Sequence, residues 1–540
     1  MLPSRRLLII GLDGFTGRLL HPMVRDGVMP VLGRLLAQGT CTTVLSTVPP
    51  VTAPAWTTVA TGANPGRHRI FSFFRPPQGW DETPRLTDST DVAMPYFWNY
   101  LGAEGIATGV SHVPLTYPPT PLHGFMACPR PGSDTYELVT HPAPLAAEVG
   151  SRLSLSPELV LQRGVTVSPD YARHLIGCVG QQARVDVELM RSRPWDCFFT
   201  VCTYPDVFQH TFWSLLDPAH RDHRPAEAAR FGGLLREFYH AVDDYVGRLC
   251  EEAGPETSVL LVSDHGFGRL EKLVNVNGWL ESQGHLRLRT GLLDRVRHLA
   301  ARHGITAHRL RELGARLDVW HLRRHLGPAM RRALWDGVEK AASPPVDWQR
   351  SQAILRYTLE SGIFLRPEAR PLLGRICAGL RDLRDPETGE RIFESVMTRE
   401  ELYEGPEVVL APDILLSPRE GYVCGSGISS AALVEPQGAG RASGFHRMDG
   451  VLLASGPAFR RLEPAPVLQL ADVAPTVLRL FGLGVPASMD GRPACELLAT
   501  PTDPHHDGTT EVVRPVPEGR GLCEEEEREV RSRLESLGYL

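Results

Sequence analysis

Lysine is nearly absent from this sequence. Only Lys272 and Lys340 occur among 540 residues, and arginine carries the rest of the positive charge. The scarcity reads as a compositional bias of the genome. Charge of one sign is not in excess either: 57 basic residues stand against 63 acidic ones, a net charge of −6. Nothing chain-wide is therefore built to hold a nucleic acid. Long apolar runs are missing. Leu7 to Leu12 is cut short by Asp13, so the basic N-terminus lacks the apolar length of a secretory signal, and no segment approaches a membrane span. A soluble, cytoplasmic protein is the expectation. The ten cysteines contain no C-x-x-C pair. A chain this long needs no disulfide framework, so reduced, half-buried thiols are expected.

What is present is ordinary for a folded enzyme: 42% hydrophobic and 22% charged residues. Leu7 to Leu12 reads as a buried parallel strand ended by Asp-Gly. Pro30 to Gly39 has helical spacing and a glycine stop. Further strands are expected at Thr42 to Ser46, Cys197 to Thr203, Ser258 to Val262, Val408 to Leu410 and Gly450 to Ala454. Helices are expected from Ala53-Pro54, over about Ala226 to Ala253, and over Ala471 to Phe481. Strands alternating with helices predict an α/β fold: a mostly parallel central sheet with helices on both faces. Residues 286–343, rich in Arg, Leu and His, read as a helical insertion or cap. Residues 73–85 read as a loop over the core. The division expected is a catalytic core of 1–285 and 344–500, the insertion 286–343, and a tail 501–540 ending in a short surface helix. His505 and His506 fall in that tail and read as solvated.

Asp and His fall where chemistry is expected. Ligands of open parallel sheets bind outside the carboxyl ends of the strands. Asp13 follows the first strand, Asp206 the strand ending at Thr203, and Asp264 with His265 the strand ending at Val262. Buried carboxylates converging on one crevice repel one another unless a cation is present. Asp206 and His210 are four apart, so one helical turn puts them on the same side. Imidazole and carboxylate together suit zinc, or a divalent ion such as manganese. His446, in a Gly-bearing loop before the strand Gly450 to Ala454, supplies one more imidazole. A nucleophile is suggested by Thr52 in Pro49-Pro50-Val51-Thr52-Ala53-Pro54, just before a helix start where N–H groups point outward. Taken locally, Thr52 reads more readily as an N-cap; the metal constellation reverses that in favour of the nucleophile. His21, His112, His123 and His285 have no such context and read as structural or solvated.

The order Asp13, Thr52, Asp206-x-x-x-His210, Asp264-His265, His446 resembles the alkaline phosphatase superfamily. The stretches GLDGF, PPVTAPAWTTVATGANPGRH, YPDVFQHTFW, VSDHGFG and GFHRMDGVLLASGPAF look most like its type I phosphodiesterase/nucleotide pyrophosphatase branch. The resemblance implies two divalent ions, usually zinc. One would be held by Asp206, His210 and His446, the other by Asp13, Asp264 and His265 with the Thr52 oxygen. It implies phosphoryl transfer through a phospho-threonine and a small-molecule phosphate ester as substrate. Nucleotide pyrophosphatases carry an asparagine about twenty residues after the nucleophile. Here that stretch, Arg67 to Phe73, has none, and Arg69 and Ser72 are the candidates to stand in for it.

Related chemistries share such a centre: phosphomonoesterase, phosphonate hydrolase and phosphoglycerate mutase-like enzyme. A sulfatase would need a C-x-P-x-R context, which Cys128-Pro129-Arg130 does not provide. A catalytically silent binding protein would be expected to have lost some of these residues. The arginines of the insertion, such as Arg287, Arg309, Arg311, Arg323 and Arg324, read equally as a cap over an anionic substrate or as a solvated helix face.

Overall fold

Leu7 to Leu12 is apolar at every position but Gly11 because both faces of its strand are covered. Leu8, Ile10 and Leu12 join one hydrophobic cluster, and Leu7 and Ile9 join another on the opposite face. The computed structural model describes residues 6–82, 85–133, 135–156, 159, 167–289, 346–357, 361–427, 432–437, 442–500, 511–517 and 519–536.

The strands in chain order are β1 (Arg6–Leu12), β2 (Thr40–Leu45), β3 (Thr108–Ser111), β4 (Gly124–Pro129), β5 (Leu138–His141), β6 (Cys197–Cys202), β7 (Thr257–Val262) and β8 (Gly266–Asn275). There follow β9 (Ala353–Leu355), β10 (Gly362–Leu365), β11 (Phe393–Thr398), β12 (Ile414–Pro418), β13 (Gly421–Gly425), β14 (Val434–Pro436), β15 (Gly444–Arg447), β16 (Asp449–Ser455) and β17 (Leu468–Gln469). The central sheet has the order β17-β2-β16-β7-β1-β6-β3-β4-β5. Its middle strands pair in parallel, β7 and β6 flanking β1. β16 runs against β7 and β2, and β5 against β4.

Helices cover both faces. Helices Pro169–Ser192 and Pro225–Ala253 pack on the face of Leu8 and Ile10. Helices Thr52–Thr61, Phe97–Ala103 and Val473–Leu480 pack on the other. The architecture is therefore the α/β fold expected, with a mostly parallel central sheet. Two smaller sheets were not foreseen: β11-β12-β10-β9, and a group in which β8 pairs with β13, β14 and β15.

Three expectations are corrected. Val408–Leu410 is a 3₁₀ turn, and the strand follows at β12. Val408 and Leu410 pack on the cluster of Phe71, Tyr403, Ala411 and Leu415 while Val409 is 69% exposed, so the triplet is covered as a single turn and not as a strand. Thr52 is the first residue of its helix, and Val51 is the N-cap. The tail helix, Glu524–Ser536, lies on the surface but is anchored: Leu534 on it and Leu522 just ahead of it are buried in the core. Most of the expected insertion, and His505 and His506, lie outside the described residues. None of the ten cysteines is in a disulfide. No helix among the described residues is long and apolar enough to cross a membrane.

Candidate metal centre

Each side chain singled out at the strand ends is positioned by its own element. Asp13 directly follows β1, and its N–H donates to the Cys202 carbonyl at the end of β6, 3.0 Å away. Gly14 then turns with φ +65°, and a Cβ there would stand 3.2 Å from the Asp206 Cα. Both the backbone sign and the closeness call for glycine. β6 leads into helix Tyr204–Leu216, whose early Pro205 suits a first helical turn. Asp206 and His210 lie one turn apart on that helix. Gln209 Nε2 ties it to the Gly14 carbonyl at 2.8 Å. Asp264 and His265 link β7 to β8. His446 lies on β15, paired opposite Phe267 of β8.

Two groups of three buried residues result: Asp206, His210 and His446, and Asp13, Asp264 and His265. Within each group the potential ligand atoms lie within 4.8 Å of one another. In the first, Asp206 Oδ1 is 3.3 Å from His210 Nε2 and 3.1 Å from His446 Nε2. In the second, His265 Nε2 is 3.5 Å from Asp13 Oδ1 and 3.4 Å from Asp264 Oδ2. The groups adjoin, with His265 Nε2 3.9 Å from Asp206 Oδ1.

Outer contacts fix the direction of the three imidazoles and of the Asp13 and Asp264 carboxylates. The Nδ1 atoms of His210, His265 and His446 lie 2.8, 3.0 and 2.8 Å from the carbonyls of Gly444, Gly266 and Pro50. A carbonyl only accepts, so each Nδ1 carries a proton and each ring turns its Nε2 inward, the edge with which an imidazole ligates a metal. The carboxylates are split in the same way. Asp13 Oδ2 accepts from Trp56 Nε1 at 3.2 Å, and Asp264 Oδ1 accepts from the Gly14 and His265 N–H groups at 3.0 Å. Asp13 Oδ1, Asp264 Oδ2 and His265 Nε2 are buried without a hydrogen-bond partner. Buried polar atoms are seldom left so, and here the three face one another. A divalent cation satisfies them together, so the residues fit one.

The electrostatics of the protein atoms alone agree. Burial, with repulsion from Asp264 and Asp206, pushes the Asp13 carboxyl well above its ordinary range. Burial likewise raises Asp264. Asp206 is held well below its ordinary value, because His210 and His446 outweigh its burial. Burial lowers His265 and His446, favouring the neutral imidazoles that metals take.

Thr52 is buried at the start of helix Thr52–Thr61. The segment around it is anchored to both groups, by the Pro50 carbonyl on His446 and by Trp56 on Asp13. No side chain caps this helix. Farther along, Thr58 Oγ1 is 2.9 Å from His68 Nε2, and His68 Nδ1 accepts from the Ile70 N–H. Of the candidates to replace asparagine, Ser72 Oγ accepts from the Phe74 N–H and Arg69 pairs with Glu407. Both are committed locally.

A cavity of about 270 Å³ opens beyond the ends of β3, β4 and β6. None of the seven candidate residues lines it, but Thr203 and Tyr204 do, at the start of the helix that carries Asp206. Its wall holds a network the sequence did not signal. His112 has φ 56°, and its Nδ1 is 3.1 Å from Asp186 Oδ1. Asp186 also accepts from Ser111, Thr200 and Tyr245 at 2.6, 2.9 and 2.9 Å. His112 Nε2 meets the Tyr136 hydroxyl at 2.7 Å.

A profile of the type I phosphodiesterase / nucleotide pyrophosphatase family matches residues 7–343, a span that stops short of His446. No curated protein matches the chain significantly. Among solved structures, the chain is similar to phosphonoacetate hydrolase from Sinorhizobium meliloti 1021 in complex with phosphonoformate. That likeness covers 87% of this chain and 94% of the other, at 17% identity and a TM-score of 0.52. The complex with phosphonoacetate gives 0.51 at the same identity and coverage. Murine ectonucleotide pyrophosphatase / phosphodiesterase 5 is matched over 92% of this chain and all of the other, at 14% identity and a TM-score of 0.47. At such identities the phosphonoacetate hydrolase likeness is one of fold.

Proposed function

The chain belongs to the type I phosphodiesterase/nucleotide pyrophosphatase family of metal-dependent phosphoric ester hydrolases, and from that premise we propose that it cleaves a phosphate diester or pyrophosphate through a phospho-Thr52 intermediate. The observation that carries this reading is the meeting of the two buried triads beside the helix that Thr52 begins.

The Thr52 oxygen attacks phosphorus in line, and the bond from phosphorus to the leaving oxygen breaks. Water then attacks the phospho-threonine from the opposite side, releasing the second product and restoring the hydroxyl. When bound, two divalent cations supply the positive charge that stabilises the threonine alkoxide and the departing oxygen. Asp206, His210 and His446 would hold one, and Asp13, Asp264 and His265 the other. Mixed imidazole and carboxylate donors favour zinc, with manganese second. The cavity beyond β3, β4 and β6 seats the organic group of the ester.

The test is hydrolysis of bis(4-nitrophenyl) phosphate and 4-nitrophenyl phosphate by protein loaded with zinc or manganese. Faster turnover of the diester supports the reading, as does a 4-nitrophenyl phosphate adduct, formed from the diester, on the peptide containing Thr52 after acid quench. Faster turnover of the monoester, or an adduct at another residue, overturns it.

A further inference from the structure

The cavity has an outer wall from a distant part of the chain. Arg533, on the C-terminal helix Glu524–Ser536, lines it beside Arg130, Ser133, Thr135, Tyr136 and Glu137. The helix grips this stretch at several points. Arg130 pairs with Glu526 at 3.1 Å and with Glu137 at 3.0 Å. Arg533 Nη2 donates to the Ser133 carbonyl at 2.6 Å. At Gly132, where φ is +73°, a Cβ would stand 2.9 Å from the Glu526 carbonyl oxygen. Helix and loop are in direct backbone contact there, at a residue only glycine suits. Behind these contacts Arg85 pairs with Glu527 at 2.7 Å, and Leu522 and Leu534 are buried.

The loop passes this hold inward. Its Tyr136 hydroxyl meets His112 Nε2, whose other nitrogen rests on Asp186. The Asp186 carboxyl is kept below its ordinary value, because His112 and the hydroxyls around it outweigh burial. The inner half is thus a fixed hydrogen-bonded network, while the outer half is held mainly by ion pairs on partly exposed side chains. Such pairs are individually weak and sensitive to salt.

We infer that the C-terminal helix is a specificity wall: by fixing the loop that carries Tyr136, it decides which organic groups the cavity admits. This rests on the reading of the cavity as the seat of the ester's organic group. The test is the double variant Glu526→Gln/Glu527→Gln in the full chain, neither residue lining the cavity. KM for bis(4-nitrophenyl) phosphate is expected to shift by about fivefold with kcat nearly unchanged, the pattern of altered uniform binding. KM for the smaller 4-nitrophenyl phosphate moves far less. High salt produces the same divergence in the unmodified protein. Independently of turnover, backbone amides in residues 130–137 exchange hydrogen faster in the variant. An unchanged ratio of KM values overturns the inference, as does unchanged exchange in that loop. If the unmodified protein cleaves neither ester, the proposed function fails instead, and the exchange result still decides whether helix and loop are coupled.

Discussion

The Nε2 atoms of His210 and His446 stand 3.0 Å apart, although 236 residues separate the two in the chain. Each ring spends its Nδ1 proton on a backbone carbonyl, so both Nε2 atoms point at each other and at Asp206. Two imidazole nitrogens and a carboxylate oxygen so gathered are a donor set that a divalent cation satisfies together.

Stripping metal should therefore loosen the fold. Buried carboxylates and lone pairs left uncompensated cost stability, and any ligand bound only by the folded state adds to it. Chelation is expected to lower the thermal midpoint by several degrees, with recovery on adding zinc, followed by scanning calorimetry. Asp264→Ala should show reduced metal content by elemental analysis, together with lost activity.

Thr52→Ala should behave differently. It removes the attacking oxygen but leaves three side-chain donors in each triad. Turnover is expected to fall about a thousandfold or more, while metal content stays near that of the unmodified protein. Substantial residual hydrolysis with intact metal would place the nucleophile elsewhere.

Trp56→Phe tests the outer contacts. The indole N–H is the donor on Asp13 Oδ2, and phenylalanine keeps much of the apolar bulk. Outer partners of metal ligands are worth about tenfold in affinity or more. Competition with a chromophoric chelator should report a loss of that order.

His68 governs an acid limb of stability. Burial lowers its pKa from 6.5 to about 3. Between those values the unfolded chain binds a proton that the folded chain refuses, so stability falls as pH drops through that window and is retained above 6.5. Urea midpoints for the protein and for His68→Gln, measured from pH 4 to pH 7, should converge toward the acid end. Parallel curves would refute the assignment.

Much of the frame was readable because burial on two faces leaves a plain mark. β1, β6 and β7 are nearly continuous apolar runs, and a polar residue at the end of such a run marks the rim of a parallel sheet. The same rule led to Asp13, Asp206 and Asp264, which the structure brings together with His210, His265 and His446. Short strands left no comparable mark. β3 is the four residues TGVS and β5 the four residues LVTH, too brief to separate from loop. The three-residue run Val408–Leu410 failed for the opposite reason: apolar character alone does not make a strand, and here Val408 and Leu410 pack as a single turn while Val409 faces out. The His112–Asp186 pair had no local signal, since its two halves lie 74 residues apart on a strand end and a helix. Only folding shows them as neighbours.

The place of β15 in the chain also orders assembly in time. A growing polypeptide has delivered Asp13, Asp264 and His265 by the end of its first half, so that triad can close early. The triad of Asp206 and His210 waits for His446, which arrives with β15, just before β16 slots between β2 and β7. A product truncated ahead of residue 446 would keep one complete triad and two of the three residues of the other, and ribosomes that stop early would release a protein with a single finished pocket for an ion.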